Sequence, residues 1–381
     1  MRRLSTMALG AAVALAVGAG SVQAQEKLRL PFPYIFSGPL IEFGERVWNE
    51  GIVPGVEKIN KEGGIKGKQL EFYKIDTRFP DTAQWLADFR RLCDDKTVPV
   101  VFSGGGATKS VVAIFEDAER CGMPVLAPSS GGAWPFPTFG KWMFRYQPVA
   151  NDYIPFLIKQ AQAKLKFKTA VVSHTLDDDF AVTNIKLTRQ ALIDAGVKIT
   201  SDQAFKTKES NFAAQVSAHR AGNPDAIFMH HQPGDAGTFL LQLRERGMNQ
   251  PMLTDIIIGG ADLWKLSQGK ALGSIGVSIW SPDDPRPVVQ DWLKLWRERT
   301  GKKDQAPDSF VTAYFDAVQV LAKTMNSAKD LSRESIRDAF ATTKNLDTIS
   351  GPVTWNGPGE AIRASSILVE LGDNGVLKLW K

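Results

Sequence analysis

Two rhythms of apolar residues alternate along this chain. Short runs rich in β-branched and aromatic residues, such as 98–102 (VPVVF) and 125–127, have strand character, and between them 110–120 carries apolar residues at helical spacing. The stretch 98–132 shows the whole unit: a strand, a glycine break at 103–106, a helix, a second strand and a second small-residue turn. With the two strands parallel, both turns leave the sheet at one edge and open on one crevice, where ligands of open α/β sheets bind. Gly104, Gly105 and Gly106 let backbone N–H groups approach a ligand closely, and an anion is the natural guest. Thr108 or Ser110 can cap the following helix or turn a hydroxyl outward. An ordinary glycine turn with a capped helix fits the same residues equally well. Phosphate loops fit poorly, because Thr108 stands where a P-loop needs glycine before its Lys-Ser pair, and Lys109 occupies the third glycine position of a dinucleotide fingerprint.

The alternation continues to both sides. Before this unit come strands at 28–35 and 68–76, a helix at 40–59, and a helix running from an Asp81 cap to Cys93. After it, an aromatic passage at 134–146 leads into a second series, with helices at 152–164, 181–195, 212–221 and 237–246 between strands at 169–174, 197–205, 226–229 and 251–258. A strand at 275–280, helices at 287–299, 307–325 and 333–342, and a carboxyl-terminal pair of short strands complete the chain. Such alternation predicts an α/β fold of two lobes, each a doubly wound parallel sheet.

Composition narrows the function. A chain of 381 residues, 43% hydrophobic, buries enough for two domains. Its first residues, with Arg2 and Arg3, an apolar run at 7–17 and the small residues ending at Ala24, read as a secretory signal peptide cleaved after Ala24, too interrupted by Gly and Ser for a membrane anchor. Losing them lowers the formal net charge from +5 to +3, and the remaining chain holds no basic cluster suited to nucleic acid. Cys93 and Cys121 fall late in the two helices flanking strand 98–102, and in an oxidising setting a disulfide is favoured over two free thiols, contributing about 3 to 4 kcal/mol.

Catalytic and metal patterns are missing. The four histidines are His174, His219, His230 and His231; the last two are adjacent on a strand end and point to opposite faces, so one is expected to line the crevice and the other to pack. No metal site is expected. Asp177-Asp178-Asp179 lacks the glycine and distal glutamate of a calcium loop and reads as a solvated turn. The crevice serines Ser103, Ser110, Ser129 and Ser130 have no histidine partner, and GxSxG, HExxH and CxxC are absent. Weight moves toward a binding protein without cofactor.

Several segments then stand in a specific order: Ser37-Gly38-Pro39 with Phe43-Gly44, INKEGGIKG at 59–67, Asp76 with Pro80, Thr108-Lys109-Ser110, 124–130, FVTAYFDAVQVLA at 310–322 and GPVTWNGPG at 351–359. With the export signal they resemble the periplasmic solute-binding proteins of ABC transporters, in the class typified by leucine/isoleucine/valine-binding proteins. The resemblance implies a type I, Venus-flytrap fold: signal peptide 1–24, one lobe of 25–146 plus 282–351, the other of 147–281 plus 352–381, and hinge crossings near Tyr146, Ser281 and Gly351. It implies a monomeric periplasmic receptor that closes on a small carboxylate and delivers it to an inner-membrane permease. Ligand contacts carried over are Phe43, Gly106, Thr108, Ser129, Ser130 and Gly131 in the first lobe, with Phe180, Gln232 and Asp255 in the second.

Two departures bear on the ligand. The expected threonine after the second turn is Gly131, and the acid expected to bind an α-ammonium falls on Ile256, one residue from Asp255. With Trp134, Phe136, Phe180 and Trp280 near the expected cleft, a carboxylate without an ammonium competes with a branched-chain amino acid and is slightly preferred. A ligand sensor and an exported α/β enzyme remain as alternatives.

Overall fold

The computed structural model describes residues 26–132, 140–363 and 366–381; the signal segment, Trp134 and Phe136 lie outside the described residues. Two sheet systems organise the described chain. In the first, Lys27–Tyr34 pairs in parallel with Gln69–Asp76 and runs against Val101–Phe102. Val101–Phe102, Val125–Ala127, Met143–Arg145 and Gly359–Glu360 continue it as a parallel set. The second is a seven-stranded sheet. Its strands Lys198–Phe205, Thr169–Thr175, Ala226–His230, Met252–Thr254 and Ile275–Ser278 are parallel, and Ile367–Leu371 and Leu377–Leu379 add an antiparallel edge. Every residue of Ala226–His230 is buried, as expected of a central parallel strand covered on both faces by helices. The fold is thus α/β with parallel-dominated sheets.

Each sheet builds its own core. Phe32, Phe102, Trp292 and Tyr314 centre one, and Val171, Ile227, Phe228 and Leu253 the other. The chain passes between them after Tyr146, after Ser278 and after Glu360. The last passage differs from the expectation at Gly351, because Val353 and Trp355 pack into the first core and Gly359–Glu360 pairs with Met143–Arg145. The segment around Gly351 is instead pinned to helix Ser309–Ser327: Asp316 accepts from the backbone of Ile349 at 3.0 Å and of Ser350 at 3.2 Å, and from the Tyr146 hydroxyl.

A third, smaller core contains the Cys93–Cys121 disulfide, with 5.6 Å between Cα atoms. Arg333 reaches over it and donates to the carbonyls of Leu92, Cys93, Asp95, Val98 and Cys121. Those carbonyls cluster where helices Ala83–Asp94 and Phe115–Cys121 end, so one guanidinium satisfies acceptors that helix termini leave open.

Three elements depart from their patterns. The helix expected at 110–120 breaks at Ile114 into Thr108–Ala113 and Phe115–Cys121. The one at 40–59 passes through a π-helical turn, Val47–Ile52, before Val53–Lys61 restarts with Pro54 in its first turn, where a missing N–H does no harm. The strand expected at 251–258 ends at Thr254, and Asp255 instead caps a 3-10 turn, Ile256–Gly259. Among the described residues no helix is long and apolar enough to cross a membrane.

Candidate functional site

The two small-residue turns lie side by side at one sheet edge, and their backbone explains their composition. Ser103, Gly104, Gly105 and Gly106 all have positive φ (94°, 65°, 113° and 82°), as has Ser130 in the second turn (127°). Space is as restrictive as conformation: a Cβ at Gly105 would sit 2.5 Å from Ser110 Cβ, and one at Gly106 2.4 Å from the Tyr34 ring. Part of the glycine run therefore serves packing.

The hydroxyls are sorted by what they already hold. Neither expected cap acts as one, since Ala107 occupies the cap position of Thr108–Ala113 and no side-chain cap forms. Thr108 Oγ1 accepts instead from Gly132 N at 3.3 Å and from Ser130 Oγ at 3.4 Å, bridging the turns while leaving its own hydrogen for another acceptor. Ser129 Oγ donates to Gly106 O at 3.0 Å and lies 2.6 Å from the Tyr314 hydroxyl, which also meets Ser103 Oγ at 3.0 Å. Ser129 thus fixes one turn against the other. Behind them the fully buried Arg145 donates to Gly132 O at 2.8 Å.

The opposite wall comes from the second sheet. Asp178 precedes helix Asp179–Asp194, and its Oδ1 accepts from Phe180 N at 3.0 Å. Gln232, at the start of helix Pro233–Glu245, donates through Nε2 to Asp178 Oδ2 at 2.7 Å. Burial, reinforced by the nearby acids Asp179 and Asp255, pushes the Asp178 carboxyl up to about 6 against these two donors.

Between the walls is a narrow cleft with a cavity volume of about 40 Å³, or about 530 Å³ when the open space at its mouth is counted. Phe43, Gly106, Thr108, Ser129, Ser130, Gly131, Phe180 and Gln232 all line it, so eight of the nine carried-over positions come together. Asp255 does not line it. It is fully buried, with Oδ1 accepting from Ile257 N at 3.0 Å and Oδ2 from Asn184 Nδ2 at 2.7 Å and His230 Nδ1 at 2.6 Å. The walls touch where the sequence departs from the family pattern: a Cβ at Gly131 would stand 3.0 Å from Ile256 Cδ1 and 3.4 Å from Phe180 Cε2. A threonine at Gly131 would have to displace Ile256, so the two departures form one compensating contact.

Other expectations change. Trp280 packs in the first core and not in the cleft. Neither His230 nor His231 lines the cleft: His230 bridges Thr188 and Asp255, and His231 bonds Ser173 and Thr175 while stacking on Phe205. Among the described residues no cluster of His, Cys, Asp or Glu is arranged for a metal. The Asp177-Asp178-Asp179 triplet is not a solvated turn throughout, since Asp178 is 4% exposed and lines the cleft. Sequence reasoning missed it, although an aspartate at a helix start is a legible cap signal. It also missed Ile35, Leu40, Phe79, Ile257 and Phe310, whose apolar character alone does not separate cleft from core.

At the mouth two ion pairs join the sides. Arg46, bonded to Asp308 at 2.8 Å, reaches Asp262 at 3.3 Å, and Lys265 lies 3.5 Å from Glu42. Asp262 and Lys265 belong to helix Ala261–Leu266, and Glu42 and Arg46 to helix Ile41–Arg46.

Two sheet-built cores on either side of a cleft, joined by three passages, define a bilobal ligand-binding protein. The chain belongs to the periplasmic binding protein family, whose model matches residues 27–375. It is 24% identical over 347 residues to an amino acid binding protein of Pseudomonas aeruginosa, covering 89% of this chain and 88% of that one. It is 23% identical over 357 residues to the leucine-, isoleucine-, valine-, threonine-, and alanine-binding protein of the same organism, with 92% of each covered. Among solved structures it resembles the branched-chain amino acid transporter substrate binding protein LivJ of Streptococcus pneumoniae in complex with isoleucine, with TM-score 0.82 and 20% identity over 93% of this chain and 98% of that one.

Proposed function

We propose that this protein is the exported receptor of an ABC import system, capturing an amino acid with an apolar side chain between its lobes and handing it to a membrane permease. The observation that carries the choice of ligand is electrostatic: among the described residues Asp178 is the one ionisable side chain lining the cleft, and the nearby cation Arg145 is buried behind the turns on Gly132 O without lining it. A plain carboxylate would bring a second negative charge into a closed site, whereas a zwitterion is neutral overall, and burying an uncompensated charge costs several kcal/mol. This reverses the slight preference for a ligand without an ammonium. The named relatives that bind amino acids support the same choice.

In this reading the ligand carboxylate meets the Thr108 hydroxyl and the backbone of the two turns, and its side chain lies among Leu40, Phe43, Phe79 and Phe310. One lobe comprises the described residues of 26–146 and 279–361; the other comprises those of 147–278 and 362–381. Hinge closure brings Gly131 against Ile256 and forms the Arg46–Asp262 pair, favouring the closed state only as far as the ligand binds it better. The mature chain is a periplasmic monomer released after Ala24, and it binds without turnover.

Thermal denaturation with a panel of amino acids and their deaminated analogues tests this. At a hundred times its dissociation constant a ligand stabilises by about 2.7 kcal/mol, a shift of a few degrees for a chain this long. Shifts with aliphatic or aromatic amino acids are expected; shifts confined to the deaminated acids, or chemical conversion of the added ligand, would contradict the proposal.

A further inference from the structure

We infer that Asp178 is the residue that selects for the ligand's α-ammonium, taking over in this chain the task for which Ile256 leaves no acid. The inference rests on the reading of the cleft as an amino-acid site and adds the residue that makes it one. Three observations carry it. First, Asp255, the nearest acid in sequence, has both oxygens engaged by three buried donors and does not line the cleft. Second, Asp178 is 96% buried by its own exposure of 4%, yet lines the cleft. Third, its two hydrogen bonds take one lone-pair position on each oxygen, one from Phe180 N and one from Gln232 Nε2, and a carboxylate offers about four. The remaining positions suit an ammonium, which has only donors.

Placement fits the opposite wall. The turns carrying Thr108 and Ser130 supply donors for a carboxylate, and Asp178 stands across the cleft among Phe180, Gln232 and Ile256. An α-amino acid held between them has its carboxylate on one lobe and its ammonium on the other. Ligand binding then draws the lobes together through the ligand itself. Gln232 is a positioning residue: its amide holds Oδ2, so the carboxyl plane is set before the ligand arrives.

The test is calorimetric titration of the mature chain, freed of co-purified ligand by unfolding and refolding, with L-leucine and L-phenylalanine and with their deaminated analogues isocaproate and hydrocinnamate. The wild type is expected to prefer the amino acids. Asp178→Asn keeps the shape and the capping oxygen, and should weaken amino-acid binding by about a hundredfold or more while leaving the analogues unchanged or tighter. Asp255→Asn, run beside it, should lower the melting temperature and keep the amino-acid preference. Should the Asn variant of Asp178 melt early without ligand, Asp178→Ser, which also retains a capping oxygen, takes its place. If the wild type prefers amino acids and both Asp178 variants keep that preference, or if Asp255→Asn abolishes it, the assignment to Asp178 is overturned while the amino-acid reading stands. If the wild type binds only the analogues, or none of the four, the amino-acid reading fails and the assignment with it.

Discussion

Asp178 and Asp255 begin as the same device. Each stands just before a helical turn, each is buried, and each accepts from the backbone N–H two residues on at 3.0 Å. They part at the second oxygen. Asp255 Oδ2 receives Asn184 and His230, both inside the second core, whereas Asp178 Oδ2 receives only Gln232, itself a cleft residue. The first carboxyl is enclosed by three donors of its own lobe, whereas the second accepts one bond on each oxygen and lines the cleft. The same contrast sorts the hydroxyls across the cleft, where Ser129 donates inward to Gly106 O and Thr108 only accepts. A polar group with its bonds completed internally holds the architecture, and one with capacity remaining can hold a guest.

The contrast breaks most visibly in stability. Asp255→Ala leaves Ile257 N, Asn184 Nδ2 and His230 Nδ1 buried without their acceptor, and should cost about 3 to 5 kcal/mol in chemical denaturation. Asp178→Ala, which removes a cap, should cost about 1 kcal/mol. Equal losses in the two variants would erase the distinction. In affinity the ranking reverses on the other wall: Thr108→Ala should weaken amino-acid binding by about 1 to 3 kcal/mol by calorimetry, the worth of a hydrogen bond to a charged group.

Acidity sharpens the comparison further. An ammonium needs Asp178 ionised, and burial holds its carboxyl up at about 6 in the unliganded protein, with Asp179 on its own helix and Asp255 after strand Met252–Thr254 both adding to the rise. Below that value the proton must leave before the ligand binds, so amino-acid affinity should fall by about tenfold per pH unit under pH 6 and level off above it. A flat profile from pH 4.5 to about 7 would show that Asp178 does not meet the charge. The smallest effect concerns Ser129→Ala, which should lower the melting point slightly, at about 1 kcal/mol, and change affinity less than Thr108→Ala does.

Much of this was legible in the chain itself. The strand and helix alternation, the two turns and the disulfide are set by local pattern: β-branched runs, glycine breaks, cysteines late in consecutive helices; the eight cleft positions came from the family resemblance, residue by residue. What escaped depends on contacts between distant segments. Asp178 and Asp255 both read as polar residues beside a turn, and only the approach of Asn184 and His230 to one, and of Gln232 to the other, separates them. Gly131 and Ile256 likewise read as two independent losses, until a Cβ placed at Gly131 is found to stand 3.0 Å from Ile256 Cδ1. The third passage was placed too early because a glycine at Gly351 marks a turn but not the sheet to which the next strand returns.

The most direct measurement is a crystal structure of the mature chain with L-leucine. The ligand is expected in the cleft with its ammonium about 3 Å from Asp178 and its carboxylate within hydrogen-bond reach of Thr108 and the turn at Ser130 and Gly131. An ammonium placed away from Asp178, or a leucine bound outside this cleft, would contradict it.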